Sequence, residues 1–298
     1  MTNSPVSMED SSSSYLVSAN AIAEKYGDKI VGVSDCGYAS TVYLGNKNVY
    51  KILSNLDIKR KGAHEKESKI LHTLEQRLSQ TVIHQVPNLV LSEFIDQTTY
   101  VCVQSKLPGE VPVKITYKLA VNIGEFLSAL HEIQGFEYVA EFEDENETKL
   151  SFENYAKERA ETFAKKLEAI VSSEDAKLVQ ECAQEISLKI SELSPSNLAL
   201  LHKDLHEGNL LVNTNGHLSG VIDWDAAQVG PPEWDFAILK QRMPEYWTTI
   251  KDAYDGGLNN ELIRVCGLLQ SLRFWKSFPK QDDFVAKQRS FIQALLNE

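Results

Sequence analysis

The chain has 298 residues, 43% hydrophobic and 24% charged, with a formal net charge of -12. That balance suits a soluble globular protein of one large domain or two lobes. Its sign disfavours nucleic acid and anionic membranes, both of which reward positive surfaces. It would draw in a cationic small molecule, or simply keep the chain soluble.

Residues 1–14 are polar and serine-rich, lack the basic and apolar regions of a signal peptide, and are expected to form a disordered tail. Residues 18–26 follow as a short helix with Ile22 and Tyr26 on one face. Three β-prone runs, 30–33, 41–44 and 49–53, are separated by the turn residues Ser34 to Gly37 and Gly45 to Asn48. The third run buries a lysine, Lys51, among apolar neighbours. A buried ammonium is costly unless paired. The candidate partner is Glu67, one turn before Leu71 on a helix over 63–78 marked by Ile70, Leu71, Leu74 and Leu78. Glu65 is the rival, and a lysine snorkelling to solvent is the alternative. Two further strands are expected over 86–94 and 99–104, then a connection, Ser105-Lys106-Leu107-Pro108-Gly109-Glu110.

The rest is helical in pattern. Residues 123–133 carry Leu127, Leu130 and Ile133 on one stripe, with His131 as a structural helix-end hydrogen-bonding residue. Residues 137–147 are the most acidic stretch, either a solvated loop or the lining of a cationic-substrate cleft. Residues 155–171 and 176–190 form a helix pair, and 262–275 and 284–296 supply further helices. No apolar run approaches the ~18 residues of a membrane span. Cys36, Cys102, Cys182 and Cys266 lie too far apart for zinc pairs or a disulfide framework, which fits reduced thiols in the cytoplasm.

The most informative stretch is residues 201–239. It holds His202-Lys203-Asp204, then Asn209, then Asp223 at the end of an apolar run. Between the last two, Leu210-Leu211-Val212 and 218–222 are strand-like, and Asn213-Thr214-Asn215-Gly216 has hairpin chemistry, with Asn-Gly the preferred type I′ pair. A hairpin folds Asn209 and Asp223 toward the same end. Two carboxylates and an amide oxygen suit a hard cation such as magnesium.

The grammar is that of kinases, in which an H-x-D loop supplies a base and a metal-binding Asn, and a later Asp holds magnesium. Asp-Leu-His-x-Gly-Asn followed by Ile222-Asp223-Trp224 and Gly-x-Pro-x-x-Asp-x-Ala resembles the aminoglycoside phosphotransferase family, whose relatives include macrolide, choline, homoserine and fructosamine kinases. Ile-Asp-Trp slightly favours the antibiotic-kinase branch, with antibiotic resistance and a metabolic role both open. The resemblance implies an α+β, two-lobed protein-kinase-like fold: a nucleotide-binding lobe over 15–106, with a small antiparallel sheet, and a mostly helical catalytic and substrate-binding lobe over 107–298. It implies Asp204 as the catalytic base and Asn209 and Asp223 as ligands of Mg2+. Lys51 fixed by Glu67 would hold the phosphates of ATP or GTP, with Gly37 and Ser40 in a loop over the nucleotide and backbone groups of Ser105 and Leu107 at the adenine edge. Asp235 would brace the catalytic loop. Lys203 stands where the family usually has a small residue, often glycine, so its charge is expected to steer phosphate or point to solvent. The implied activity is transfer of a γ-phosphoryl group to a hydroxyl of a small molecule, an aminoglycoside or another amine being one class and a metabolite such as choline, homoserine or a fructosamine the alternative. A non-catalytic nucleotide-binding regulator is the reading from another class. Oligomeric state and the choice of ATP or GTP are beyond the residues.

Overall fold

The computed structural model describes residues 8–34, 41–53, 58–79, 82–133, 142–143, 149–193, 195 and 197–298. These divide into two compact units, Met1–Glu110 with Ser219–Asp225, and Val111–Leu218 with Ala226–Glu298.

The first unit opens with α1 (Met8–Lys25), β1 (Ile30–Ser34), β2 (Thr41–Gly45), β3 (Asn48–Leu53) and α2 (Ile58–Arg77), and continues with β4 (Leu89–Phe94) and β5 (Tyr100–Ser105). The strands form one antiparallel sheet in the order β1-β2-β3-β5-β4. Because successive side chains on a strand point to opposite faces, Tyr43, Tyr50, Ile52, Val101 and Val103 pack with Ala19 and Ala23 of α1 on one face. Lys51 and its cross-strand partner Cys102 lie on the other face, where α2 buries Ile70, Leu71 and Leu74. The β2–β3 turn is organised by Asp28, whose carboxylate accepts from the backbone N–H groups of Lys29, Asn46, Lys47 and Asn48 and from the Tyr50 hydroxyl, at 2.8–3.2 Å. Gly45 makes room for it, since a Cβ there would press on the Asp28 carboxylate and lie 2.9 Å from the Asn48 carbonyl.

Helix α1 starts at Met8, within the stretch expected to form a tail, and residues 1–7 lie outside the described residues. No glycine or proline interrupts 8–25, so a helix anchored at Ala19 and Ala23 propagates toward its polar end; adding a residue to an existing helix is far cheaper than nucleating one.

The second unit contains α3 (Tyr117–His131), the short β6 (Phe142–Glu143) and β7 (Lys149–Leu150), α4 (Phe152–Glu168), α5 (Ser173–Ile190), β8 (Ala199–Leu201) and β9 (Leu210–Val212). After β10 (Leu218–Val221), which runs into the first unit, come β11 (Gln228–Gly230), α6 (Glu233–Arg242), α7 (Trp247–Asp252), α8 (Asn260–Ser277) and α9 (Asp282–Leu296). Side-chain oxygens of Thr116, Ser151, Ser172 and Asn259 cap α3, α4, α5 and α8 by accepting N–H bonds of the first turn. The stripe of α4 turns on small residues, Ala156, Ala160 and Ala164, and Ile170 is exposed beyond its end. On α5 the buried stripe is Val179, Cys182, Ile186 and Ile190. Helix α8 is buried on almost every side, as befits the centre of a bundle. Its Arg264 donates to Glu185 of α5, to Glu261 at 2.6 Å and to the Leu295 carbonyl of α9 at 3.0 Å, so one buried guanidinium ties three helices together. The acidic stretch lies outside the described residues apart from the backbone of Phe142–Glu143, which pairs with β7.

The 213–217 turn also differs from expectation. Asn213 N–H bonds the His217 carbonyl at 3.0 Å and Gly216 N–H bonds the Asn213 carbonyl at 2.9 Å, and Gly216 (φ 75°) has positive φ where Asn215 does not. That is a three-residue loop with glycine in the left-handed region, not a two-residue type I′ turn. Asn213 selects it by accepting from Asn215 and His217 N–H groups with its side-chain oxygen.

Candidate active site

In the first unit, β3 delivers Lys51 to Glu67 of α2. Lys51 Nζ lies 2.8 Å from Glu67 Oε1 and 2.8 Å from Asp223 Oδ1. Glu67 is 4% exposed, and the same oxygen also accepts from Gln104 Nε2 at 2.9 Å. Glu65, the rival, faces Lys69 across an exposed 3.8 Å pair. Burial alone would lower the Lys51 ammonium, but the Glu67 and Asp223 carboxylates outweigh it and hold the amine protonated, well above the ordinary lysine range. Cys102 beside them is a buried thiol pushed up to about 11, by desolvation first and Glu67 second, and so is packing and not a nucleophile. Asp223 sits at φ 67°, a backbone conformation that side-chain-bearing residues rarely adopt and that aspartate tolerates better than most. The following Trp224 is fully buried and donates Nε1–H to the Val221 carbonyl at 3.0 Å.

In the second unit, β8 pairs with β11, Leu201 opposite Gln228, and carries the chain into His202-Lys203-Asp204. Asp235, fully buried in the first turn of α6, holds this loop: its carboxylate accepts the N–H of His202 at 3.0 Å and of Lys203 at 2.8 Å. His131 of α3 approaches the same carboxylate at 3.3 Å and meets the Tyr254 hydroxyl at 3.1 Å through its other nitrogen. His131 is thus structural, as expected, and its hydrogen bonds tie the C-terminal end of α3 to the loop's brace. His202 Nδ1 accepts the Asp204 N–H at 3.3 Å. Asn209 donates its amide to the Asp204 carbonyl at 2.8 Å and to Asp204 Oδ2 at 3.3 Å. That orientation commits the nitrogen of Asn209 to Asp204 and leaves its carbonyl oxygen as the atom to offer a cation.

Lys203 corrects the expectation from charge. It is 4% exposed, with Nζ 2.7 Å from Gln228 Oε1 and 3.9 Å from the Trp234 ring centroid. It neither points to solvent nor faces outward to steer phosphate. Its φ is 62°, the region where glycine costs least, which is the physical reason a small residue suits this position.

The structure thus brings Lys51, Glu67 and Asp223 together in one unit, and Asp204 and Asn209 together in the other. Ser105 closes β5: its N–H bonds the Asn88 carbonyl at 2.9 Å and its hydroxyl accepts the Asn88 N–H at 2.8 Å, so its backbone N–H is already committed. Leu107 is half-buried in the connection that follows. Gly37 and Ser40 lie outside the described residues. No residue pattern pointed to Gln228 or Tyr254, which act through residues distant in the chain. Gln104 did carry a signal: a polar side chain two residues beyond Cys102, on the Lys51 face of an otherwise apolar strand.

A sequence model of the phosphotransferase enzyme family, APH, matches residues 54–275. The chain belongs to the phosphotransferase enzyme family. It is accordingly a kinase-like enzyme acting on an alcohol group. A stretch of 46 residues is 39% identical to "Uncharacterized protein YcbJ" of Bacillus subtilis (strain 168), a match covering 15% of each chain. Among solved structures of the same fold are aminoglycoside phosphotransferase APH(4)-Ia in a ternary complex with AMP-PNP and hygromycin B (14% identity, 93% of this chain and 97% of that one, TM-score 0.70) and the gentamicin complex of APH(2")-IIa (18%, 98% and 97%, TM-score 0.68). A third is the GDP complex of wild-type aminoglycoside 2'-phosphotransferase-IIIa (15%, 95% and 98%, TM-score 0.68). At these identities the likeness is one of fold. Among the described residues no helix is long and apolar enough to cross a membrane.

Proposed function

We propose that this phosphotransferase moves the γ-phosphoryl group of ATP or GTP to a hydroxyl of a small molecule, with an aminated acceptor of the aminoglycoside kind as the favoured class. The observation that carries the reading is Lys51 bonded at once to Glu67 and Asp223, a protonated amine fixed between a buried anchor and a partly exposed carboxylate. A lysine so held is built to meet phosphate oxygens as a point charge. Nucleotides and aminoglycosides in the related structures support the donor and acceptor classes. The net charge of -12 supports a cationic acceptor. Resistance to an antibiotic is the physiological role consistent with that acceptor, in the cytoplasm.

Asn209 and Asp223 each offer the kind of hard oxygen that magnesium prefers: the Asn209 amide nitrogen is turned to Asp204, leaving its carbonyl oxygen, and the Asp223 carboxylate is partly exposed. Magnesium held by these residues would supply charge neutralisation for the phosphates. The remaining work falls to side chains. Asp204 orients the acceptor hydroxyl and takes its proton as the oxygen–phosphorus bond forms and the bond from the γ-phosphorus to the β–γ bridging oxygen breaks, releasing ADP or GDP. An aspartate suffices because the transition state is loose and the proton moves late, so positioning matters more than basicity. Asp204→Asn should lower turnover by about a hundredfold or more while nucleotide with magnesium still raises the melting temperature. A variant with undiminished turnover removes Asp204 from the base role. Nucleotide consumption across a panel of aminoglycosides, macrolides, amino alcohols and sugars identifies the acceptor, and no turnover across it would overturn the assigned activity.

A further inference from the structure

His206 has no task in the mechanism above, yet its ring is tightly placed. Its Nδ1 accepts the Gly208 N–H at 3.0 Å. A neutral imidazole that accepts at Nδ1 carries its proton at Nε2. That nitrogen lies 3.7 Å from Asp204 Oδ2, the same oxygen that Asn209 approaches at 3.3 Å. Gly208 is required for the arrangement, since a Cβ there would lie 2.8 Å from His206 Cε1 and 3.1 Å from Nδ1. The ring and the carboxylate are each about a third exposed, so both can be reached from solvent. At 3.7 Å the contact is longer than a hydrogen bond, as contacts to catalytic groups often are before substrate binds.

We propose that His206 is a positioning residue for Asp204: held at Nδ1 by Gly208, it turns Nε2–H onto Oδ2, so that His206 and Asn209 fix one carboxylate oxygen and present the other to the acceptor hydroxyl. This rests on Asp204 being the proton acceptor. The bland alternative is that His206 only caps the single helical turn at 207–209 through Nδ1.

Two substitutions separate these readings. In His206→Asn the amide oxygen replaces Nδ1 and keeps the bond to Gly208, while nothing reaches Asp204. In His206→Gln the amide reaches the Nε2 position and the cap is lost. With MgATP as the probe and water as acceptor, ADP release should fall about tenfold or more in the Asn variant and about threefold or less in the Gln variant, with KM for MgATP preserved in both. The reverse order, Asn active and Gln impaired, overturns the proposal in favour of a cap. Independently of turnover, 15N-histidine NMR of the full chain should show His206, assigned by its absence in His206→Gln, as the Nε2–H tautomer, with that resonance shifted by Asp204→Asn. A proton on Nδ1, or a resonance blind to Asp204, also overturns it. Wild-type turnover in Asp204→Asn would instead sink the base reading, leaving the tautomer result to decide where His206 points.

Discussion

Lys51 and Lys203 are both buried amines, and they are compensated by different means. Lys51 has carboxylates, and removing it leaves the Glu67 charge with Gln104 alone. Lys51→Met should cost about 3 kcal/mol in urea unfolding and abolish the thermal shift on adding nucleotide, and Lys51→Met with Glu67→Gln should recover much of the stability but none of the nucleotide response. Lys203 has an amide oxygen and an aromatic face. Lys203→Gly would relieve about 1–2 kcal/mol of left-handed backbone strain, but glycine adds roughly 0.5–1 kcal/mol of entropy cost. It also removes a charged hydrogen bond of about 1.5–3 kcal/mol and a desolvated cation–π contact of about 2 kcal/mol. The losses are larger, so the variant should be less stable by roughly 2–5 kcal/mol, a lower urea midpoint being the measurement. The two lysines also mark what is legible at this scale. A lysine inside an apolar strand announces its need for an anion, and the structure supplies Glu67. A lysine in a loop announces nothing, because no periodicity ties loop side chains to a face, and its place against Gln228 and Trp234 emerges from the structure.

At the scale of elements, the β2–β3 turn depends on one carboxylate. Burial tends to raise the Asp28 carboxyl, but the Lys29, Lys47 and Asn48 N–H groups and the Tyr50 hydroxyl bring it below the usual aspartate value. A depressed folded-state value contributes stability that is present above the unfolded value, about 3.9, and is lost as pH falls through the folded one. Stability should therefore drop below about pH 4, and Asp28→Asn should flatten that part of the profile while costing about 1–3 kcal/mol at neutral pH through its stranded donors. Helices with a clear apolar stripe were legible, α5 and α9 among them. Their starts were less so: α3 begins at Tyr117, where Thr116 caps it, six residues before the stripe becomes regular. Strands β8 and β11, three residues each, are too short to show a period of two, so the pairing that delivers His202 could not be inferred from pattern.

Taken whole, the molecule is an anion. A cationic acceptor approaching it would be guided by a field that salt weakens, the screening length being about 10 Å at 0.1 M. KM for an aminated acceptor should rise several-fold from about 0.02 to about 0.3 M salt, mostly through slower association, while KM for a neutral acceptor stays level. Initial-rate measurements on one acceptor of each kind decide it, and equal salt dependence would discount the field. The fold class was legible because the motifs occur in the order of a kinase-like chain, and the solved structures of the same fold bear it out. The acceptor was not, since the residues that would select it have no fixed spacing from the catalytic loop.

The first unit is also discontinuous. Asp223 reaches Lys51 across 172 residues of chain, and Ser219 of the same returning segment donates to the Pro108 carbonyl at 2.7 Å. During translation the sheet, α1 and α2 therefore emerge long before the carboxylate that completes them. A nascent chain cut anywhere from 111 to 218 carries Lys51 and Glu67 without Asp223. An isolated N-terminal fragment ending at 110 would consequently lack the third member of its own charge triad, and a protein split for reassembly would have to keep 219–225 with the N-terminal piece.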